Sequence, residues 1–344
     1  MSMVTIAMFN NKGGVGKTTL TNNIAAFIAD KYNKRVIVID CDPQCNTTQL
    51  LMGQEFAADL YWNKTNPNSI TTISDILQPI EDGDSQISSK IKAVKSSENR
   101  FNVDLIPGNP KFSIIEDKLG SAWHDLLGGD IGGIRKTHWN TFLIEKLEDN
   151  YDYAFFDLGP SLGSINRSVL LGCQYFITPM GTDIFSILGV KNIYEWLKNW
   201  LSLYENSLKI CEERTPGRLN EFNIPQSLKI GHGYLGYTIQ QYITKKKEGV
   251  RRPTKAYEEI INNVPQTIGD TLEKMHSDNL NIQDLKLGDV PHLYSLIPFA
   301  QSNSSPILKL KATDGLVGSQ FRQQSSFSKL LEQIASNIIR NLQN

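Results

Sequence analysis

The feature that most restricts this chain is Lys12-Gly13-Gly14-Val15-Gly16-Lys17-Thr18-Thr19, a glycine loop between an apolar run and a helix-patterned one. Before it, Val4-Thr5-Ile6-Ala7-Met8-Phe9 is β-branched and apolar, as a fully buried strand should be. After it, Leu20, Ile24, Phe27 and Ile28 recur at helical spacing, which predicts an amphipathic helix from about Lys17 to Asp30. Glycines let successive backbone N–H groups turn inward, and a helix N-terminus adds partial positive charge, so the loop suits a polyphosphate. In that setting Lys17 would reach the β- and γ-phosphates, and the Thr18 hydroxyl would ligate Mg²⁺. A glycine turn without a ligand would need neither the Gly-Lys-Thr ending nor both flanks.

The same eight residues resemble the deviant Walker A loop of the ParA/MinD ATPases. The resemblance implies ATP and Mg²⁺ as cofactors, with nucleotide contacts from Gly13, Gly14, Val15, Gly16, Lys17, Thr18 and Thr19. In that family the extra lysine at the start of the loop reaches across a dimer to the partner's nucleotide, and Lys12 occupies that place. A charge delivered there would act as an arginine finger does, an effect of roughly 10³–10⁵ in rate.

Two acidic stretches extend the pattern. Val36-Ile37-Val38-Ile39 reads as a buried strand, followed by Asp40-Cys41-Asp42-Pro43-Gln44-Cys45-Asn46. Carboxylates at the C-terminal ends of parallel strands face the ligand crevice of an open α/β sheet, although an Asp-x-Asp there could also cap a helix. The stretch resembles the family's switch I, which implies that Asp42 positions the attacking water and that Asp40 helps hold Mg²⁺ through its water shell. The family usually has glycine where Cys45 stands. The second stretch, Tyr153-Ala154-Phe155-Phe156-Asp157-Leu158-Gly159-Pro160-Ser161, ends a strand in an acid, which makes Asp157 the second Mg²⁺ contact. Its Gly-Pro-Ser resembles the family's Pro-Pro-Ser turn, with Gly159 in place of the first proline.

The rest of the chain alternates strands and helices. Residues 54–100 are polar, interrupted by Pro67 and Pro79, with one short helix expected around Ile73, Ile76 and Leu77. A half-buried strand is expected over Phe101–Ile106, and helix over Lys111–Asn150 broken at Gly128-Gly129 and Gly132-Gly133. Gln174–Pro179 reads as a strand before a helix that starts near Ile184, and Asp183 either caps that helix or contacts a partner subunit. A strand is expected within Leu228–Tyr242, helix and loop over 256–290, and a late strand over Leu293–Phe299. The Ile-Pro ending of that last run resembles the family segment beside the adenine base, which makes Pro298 a candidate base contact. The alternation predicts one doubly wound α/β domain over residues 1–344, with a mostly parallel sheet, helices on both faces, and insertions near 54–100 and 200–227 or 256–290.

A formal net charge of −1 over 344 residues leaves any nucleic-acid binding to local patches. One such run, from Lys245 to Lys255, carries six cations against Glu248; Lys245, Lys246, Lys247, Arg251 and Arg252 are candidate contacts to nonspecific DNA, against the alternative of a solvated loop. Cys41, Cys45, Cys173 and Cys211 show no Cys-x-x-Cys pair or zinc-ligand histidine spacing, so reduced core cysteines are expected. No helix-turn-helix arm, secretory leader or membrane-spanning run is read, and the cytoplasm is the expected compartment. The last segment, Ser325–Leu342, has a broad apolar face but only Lys329 and Arg340 as cations, which favours packing on the body over membrane attachment.

The reading that follows is an ATP-dependent dimerisation switch with slow, partner-stimulated hydrolysis. It would be a homodimer when ATP-bound, positioning DNA or another cargo. The alternative keeps the nucleotide chemistry but makes the chain a regulatory subunit for an effector enzyme of a mobile-element or defence operon.

Overall fold

The computed structural model describes residues 2–62, 70–242, 244–247, 250–253, 255–293 and 295–343; the side chains of 241–261 lie outside the description. The first apolar run forms β1 (Val4–Met8), and the glycine loop leads from it into α1 (Lys17–Tyr32). Then come β2 (Val36–Cys41), α2 (Asn46–Trp62), α3 (Ile73–Glu81) and β3 (Asp104–Ile106). Three helices follow, α4 (Ile115–Leu127), α5 (Ile131–Thr137) and α6 (Trp139–Leu147), before β4 (Tyr153–Leu158), α7 (Ser164–Gly172) and β5 (Tyr175–Gly181). The long α8 (Ile184–Arg214), short α9 (Arg218–Glu221) and β6 (Tyr234–Tyr242) lead to a hairpin of β7 (Thr244–Lys247) and β8 (Val250–Pro253). The chain closes with α10 (Lys255–Asp270), β9 (Lys286–Pro291), α11 (Leu296–Ser302) and α12 (Ser319–Gln343).

The main sheet has seven strands in the order β3-β2-β4-β1-β5-β6-β9, and every neighbouring pair is parallel. Successive residues of a strand point to opposite faces, and two apolar layers result. Ala7, Phe9, Ile37 and Ile39 pack with α3, α4, α6, α7 and α8, whereas Ile6, Met8, Val36 and Val38 pack with α1, α2, α11 and α12. This is the doubly wound α/β arrangement expected from the alternation. β1 lies in the middle of the sheet, so the loop after it opens where the ends of β2, β4 and β5 converge.

Four local expectations change. Helix α1 is buried almost all round from Leu20 to Ala29 rather than along one stripe, because α2 and α12 cover the side turned away from the sheet. The Gly132-Gly133 pair does not break a helix: α5 runs through it. A Cβ on Gly133 would lie 2.6 Å from the backbone N of Leu126 and 2.7 Å from the carbonyl of Ala122, so this glycine permits α5 to lie against α4. Leu293–Phe299 is not a strand, since Leu296–Ser302 is helical; the late strand is β9, inside the stretch read as helix and loop. Pro298 falls at the third position of α11, where an N–H would have no intrahelical partner, so the proline is tolerated. Finally, β3 is fully buried rather than half-buried.

The apolar face of α12 does pack on the body. Phe327, Leu331, Ile334 and Ile338 are buried, and Asn341 Nδ2 donates to the carbonyls of Leu235 and Asp284 at 2.8 and 2.9 Å. Among the described residues no helix is long and apolar enough to cross a membrane.

Candidate functional site

The glycine loop, the end of β2 and the start of α11 enclose a cavity of about 1190 Å³. Gly13, Gly14, Gly16, Lys17, Thr18 and Thr19 line one side, with Asp42 and Pro160 beside them and Ile297, Pro298 and Gln301 opposite. Gly14 and Gly16 adopt φ of 73° and 74°, values that favour glycine, and they turn the chain sharply into α1. Gly16 caps that helix without a side-chain hydrogen bond, and the first turn carries no acid, so its N–H groups face the cavity with no carboxylate in competition.

Lys17 is buried, and its Nζ donates to the carbonyls of Asn10 and Lys12, each at 3.0 Å. Burial lowers its pKa, opposed by the charges of Asp157 and Asp42. Thr18 Oγ1 donates to Asp157 Oδ2 at 2.8 Å, and Thr47 Oγ1 donates to the same oxygen at 2.8 Å. Asp157 is fully buried, which pushes its carboxyl up to about 6 against the pull of the two threonine hydrogen bonds. Its other oxygen, Oδ1, is buried with no hydrogen-bond partner. A buried carboxylate oxygen of that kind calls for a cation or an ordered water. With the Thr18 hydroxyl alongside, the donor set fits a hard, oxygen-preferring ion such as Mg²⁺. Bound with ATP, Mg²⁺ neutralises charge on the phosphate oxygens.

Asp40 is the register partner of Asp157 across β2 and β4 and is also fully buried. Burial first, and then the charge of Asp157, raise its carboxyl to about 7. Both of its oxygens are engaged: Oδ2 accepts from the backbone N–H and hydroxyl of Thr48 at 2.8 and 2.7 Å, and Oδ1 from the N–H of Asp42 at 3.3 Å. Asp40 therefore braces the start of α2, whereas Asp157 and Thr18 are in direct contact. Asp42 lines the cavity and accepts from the N–H of Gln44 at 2.9 Å, which closes the turn before α2. Within that turn Cys45 has φ of 54°, a left-handed conformation that explains why glycine is usual at this place in the family it resembles.

Lys12, directly before the cavity-lining Gly13, pairs with Asp183, each side chain about one third exposed. Asp183 also caps α8, accepting from the N–H groups of Phe185 and Ser186 at 3.0 and 3.2 Å. Burial opposes its charge, but Lys12 and Ser186 outweigh that and hold the carboxyl below its ordinary value. Beyond the cap, Ile184, Phe185 and Leu188 are exposed apolar residues. Pro298 lines the cavity, from a helix rather than a strand. For Lys245, Lys246, Lys247, Arg251 and Arg252 the backbone forms the β7–β8 hairpin, in which Lys245 faces Arg252 and Lys246 faces Arg251. Their side chains lie outside the described residues.

Sequence reasoning missed Thr47, Thr48 and Asn22. The two threonines directly follow the acidic stretch, and their position at a helix start after two carboxylates was the available signal. Asn22 carried none, since a polar residue inside an otherwise apolar helix does not reveal its partner.

A family model described as an AAA domain matches residues 3–210. A virulence plasmid ParA family protein of Chlamydia psittaci is 30% identical over 195 residues, covering 56% of this chain. The match spans 63% of the length of that protein. The crystal structure of protein DIP2308 from Corynebacterium diphtheriae is 31% identical, with a TM-score of 0.76 over 99% of both chains. The structure of pnob8 ParA shares the fold, with a TM-score of 0.58 and 18% identity over 99% of both chains. The chain thus belongs to the ParA/MinD-like family of P-loop ATPases.

Proposed function

We propose that this chain is an ATP-dependent dimerisation switch that hydrolyses ATP slowly, is accelerated by a partner protein, and positions or partitions DNA or another cargo. The observation that carries the reading is the placement of Lys12. It directly precedes Gly13 of the cavity lining and pairs with Asp183, the cap residue of α8 whose first turns expose Ile184, Phe185 and Leu188, so a second copy docked there would meet both a charge and an apolar surface. Lys17 and the α1 N-terminus hold the phosphates, Thr18 and Asp157 hold Mg²⁺ with Asp40 bracing the neighbouring turn, and Asp42 orients the water. Pro298 lies against the base. DNA is the cargo that the six cations of residues 245–255 favour.

The test is binding and turnover of ATP by the parent chain and by Lys17→Ala and Asp42→Ala. Lys17→Ala should abolish Mg²⁺-dependent ATP binding, and Asp42→Ala should keep binding while losing hydrolysis. Parent-like turnover by Asp42→Ala, or ATP binding by Lys17→Ala at the parent affinity, overturns the assignment.

A further inference from the structure

Two adjacent threonines at the start of α2 divide the two buried carboxylates between them. Thr48 hydrogen-bonds Asp40 and Thr47 hydrogen-bonds Asp157, while Asp40 and Asp157 are themselves register partners on neighbouring strands. Successive helix positions point about 100° apart, so one helical turn can reach both acids. The Asp40 contact has an evident structural use, because Thr48 Oγ1 also accepts from the N–H of Gly108 at 2.9 Å and ties α2 to the turn after β3. Thr47 has a different set of neighbours. Asn22 Nδ2 donates to Thr47 Oγ1 at 2.8 Å, and Thr47 Oγ1 donates to Asp157 Oδ2 at 2.8 Å.

A threonine hydroxyl has one proton to give. With Asn22 donating into it, that proton is committed to Asp157. Thr18 commits its own proton to the same oxygen, which leaves the Thr18 lone pairs available to a cation. Oδ2 of Asp157 is thus held from two sides, while Oδ1 is buried and unpartnered. All three members of the relay, Asn22, Thr47 and Asp157, are inaccessible to solvent. Thr47 is β-branched and stiff about χ1, so its hydroxyl is not free to swing away.

We propose that Thr47, backed by Asn22 on α1, is a positioning residue of the metal site: it fixes the Asp157 carboxylate beside the Thr18 hydroxyl, where the two would hold a divalent cation. Since Thr47 follows the Asp42–Asn46 turn directly, the same hydrogen bond ties that turn to the metal. This rests on the nucleotide reading given above. Partners behind a metal-binding carboxylate usually matter by about 10–100-fold in metal affinity.

The test titrates Mg²⁺ against binding of a fluorescent ATP analogue by the full chain, with a parallel measurement in EDTA. Thr47→Val, which keeps the shape and removes the hydroxyl, should raise the Mg²⁺ midpoint about tenfold or more and leave binding in EDTA within about twofold of the parent. Thr47→Ser should return the midpoint to within about threefold of the parent, and Asn22→Ala should shift it in the direction of Thr47→Val by less. A parent-like midpoint for Thr47→Val, a Thr47→Ser chain as poor as Thr47→Val, or an equal loss in EDTA overturns the proposal. If the parent chain itself binds the analogue with no response to Mg²⁺, the nucleotide reading falls with it. The parent titration alone shows that case.

Discussion

Lys12 and Asp183 are paired within one chain, Nζ of the lysine donating to Oδ2 of the acid whose Oδ1 caps α8. To act on a second nucleotide, Lys12 has to leave this partner. The separation is cheap, because a pair about one third exposed on each side is worth roughly 1 kcal/mol or less. Asp183→Asn keeps an oxygen for the helix cap and removes the charge. Two such pairs open per dimer, so with ATP and Mg²⁺ it should lower the protein concentration needed for dimers by up to about thirtyfold, as measured by sedimentation velocity. A higher threshold than the parent's would show that Asp183 supports the dimer.

Gly133 marks where α5 crosses α4. Because a Cβ there would meet Leu126 N at 2.6 Å, Gly133→Ala should destabilise the chain by about 1–3 kcal/mol through displaced backbone. Thermal melting compared with Gly83→Ala separates the two effects of losing a glycine. Gly83 has φ of 109° but open space around it, so its cost comes from the backbone conformation alone.

Burial holds the ring of His138 neutral and pushes its pKa down to about 4. The unfolded chain binds a proton near pH 6.5 that the folded chain refuses, so this residue lowers stability as pH falls from about 6.5 to 4. The loss between pH 7 and pH 5 is about 2 kcal/mol. His138→Gln should flatten the slope of urea-derived stability over that interval; an unchanged slope would place the ring's titration elsewhere.

For the basic hairpin, alanine at Lys245, Lys246, Lys247, Arg251 and Arg252 together should weaken duplex binding for every sequence alike. Each phosphate that the variant no longer neutralises reduces the slope of log affinity against log salt by about 0.9. Anisotropy titrations with ATP at several salt concentrations measure it. Duplex binding absent in the parent chain would favour the regulatory-subunit alternative, and an unaltered slope in the variant would place DNA on another surface.

How much of this was legible in the sequence follows from where the signals are local. β1, the glycine loop and α1 are contiguous, so strand pattern, φ requirement and helix pattern reinforce one another within thirty or so residues. Asp40 and Asp157 were legible because an acid closing an apolar strand stands out against burial. Leu293–Phe299 misled because a short apolar run has no period that separates strand from helix. β9 was hidden by Lys286, Gly288 and Asp289, residues that an edge strand tolerates and a central one does not. The Thr47–Asp157 contact joins residues 110 apart, and the Lys12–Asp183 pair joins residues 171 apart. No local pattern encodes either of them.

The most direct measurement is molar mass in solution, by light scattering after size exclusion, with ATP and Mg²⁺ present. The parent chain should double in mass with ATP and not with ADP, and Lys12→Ala should remain a monomer while still binding ATP. A Lys12→Ala chain that doubles as the parent does, or a parent that stays monomeric with ATP bound, would contradict the crossed-lysine dimer.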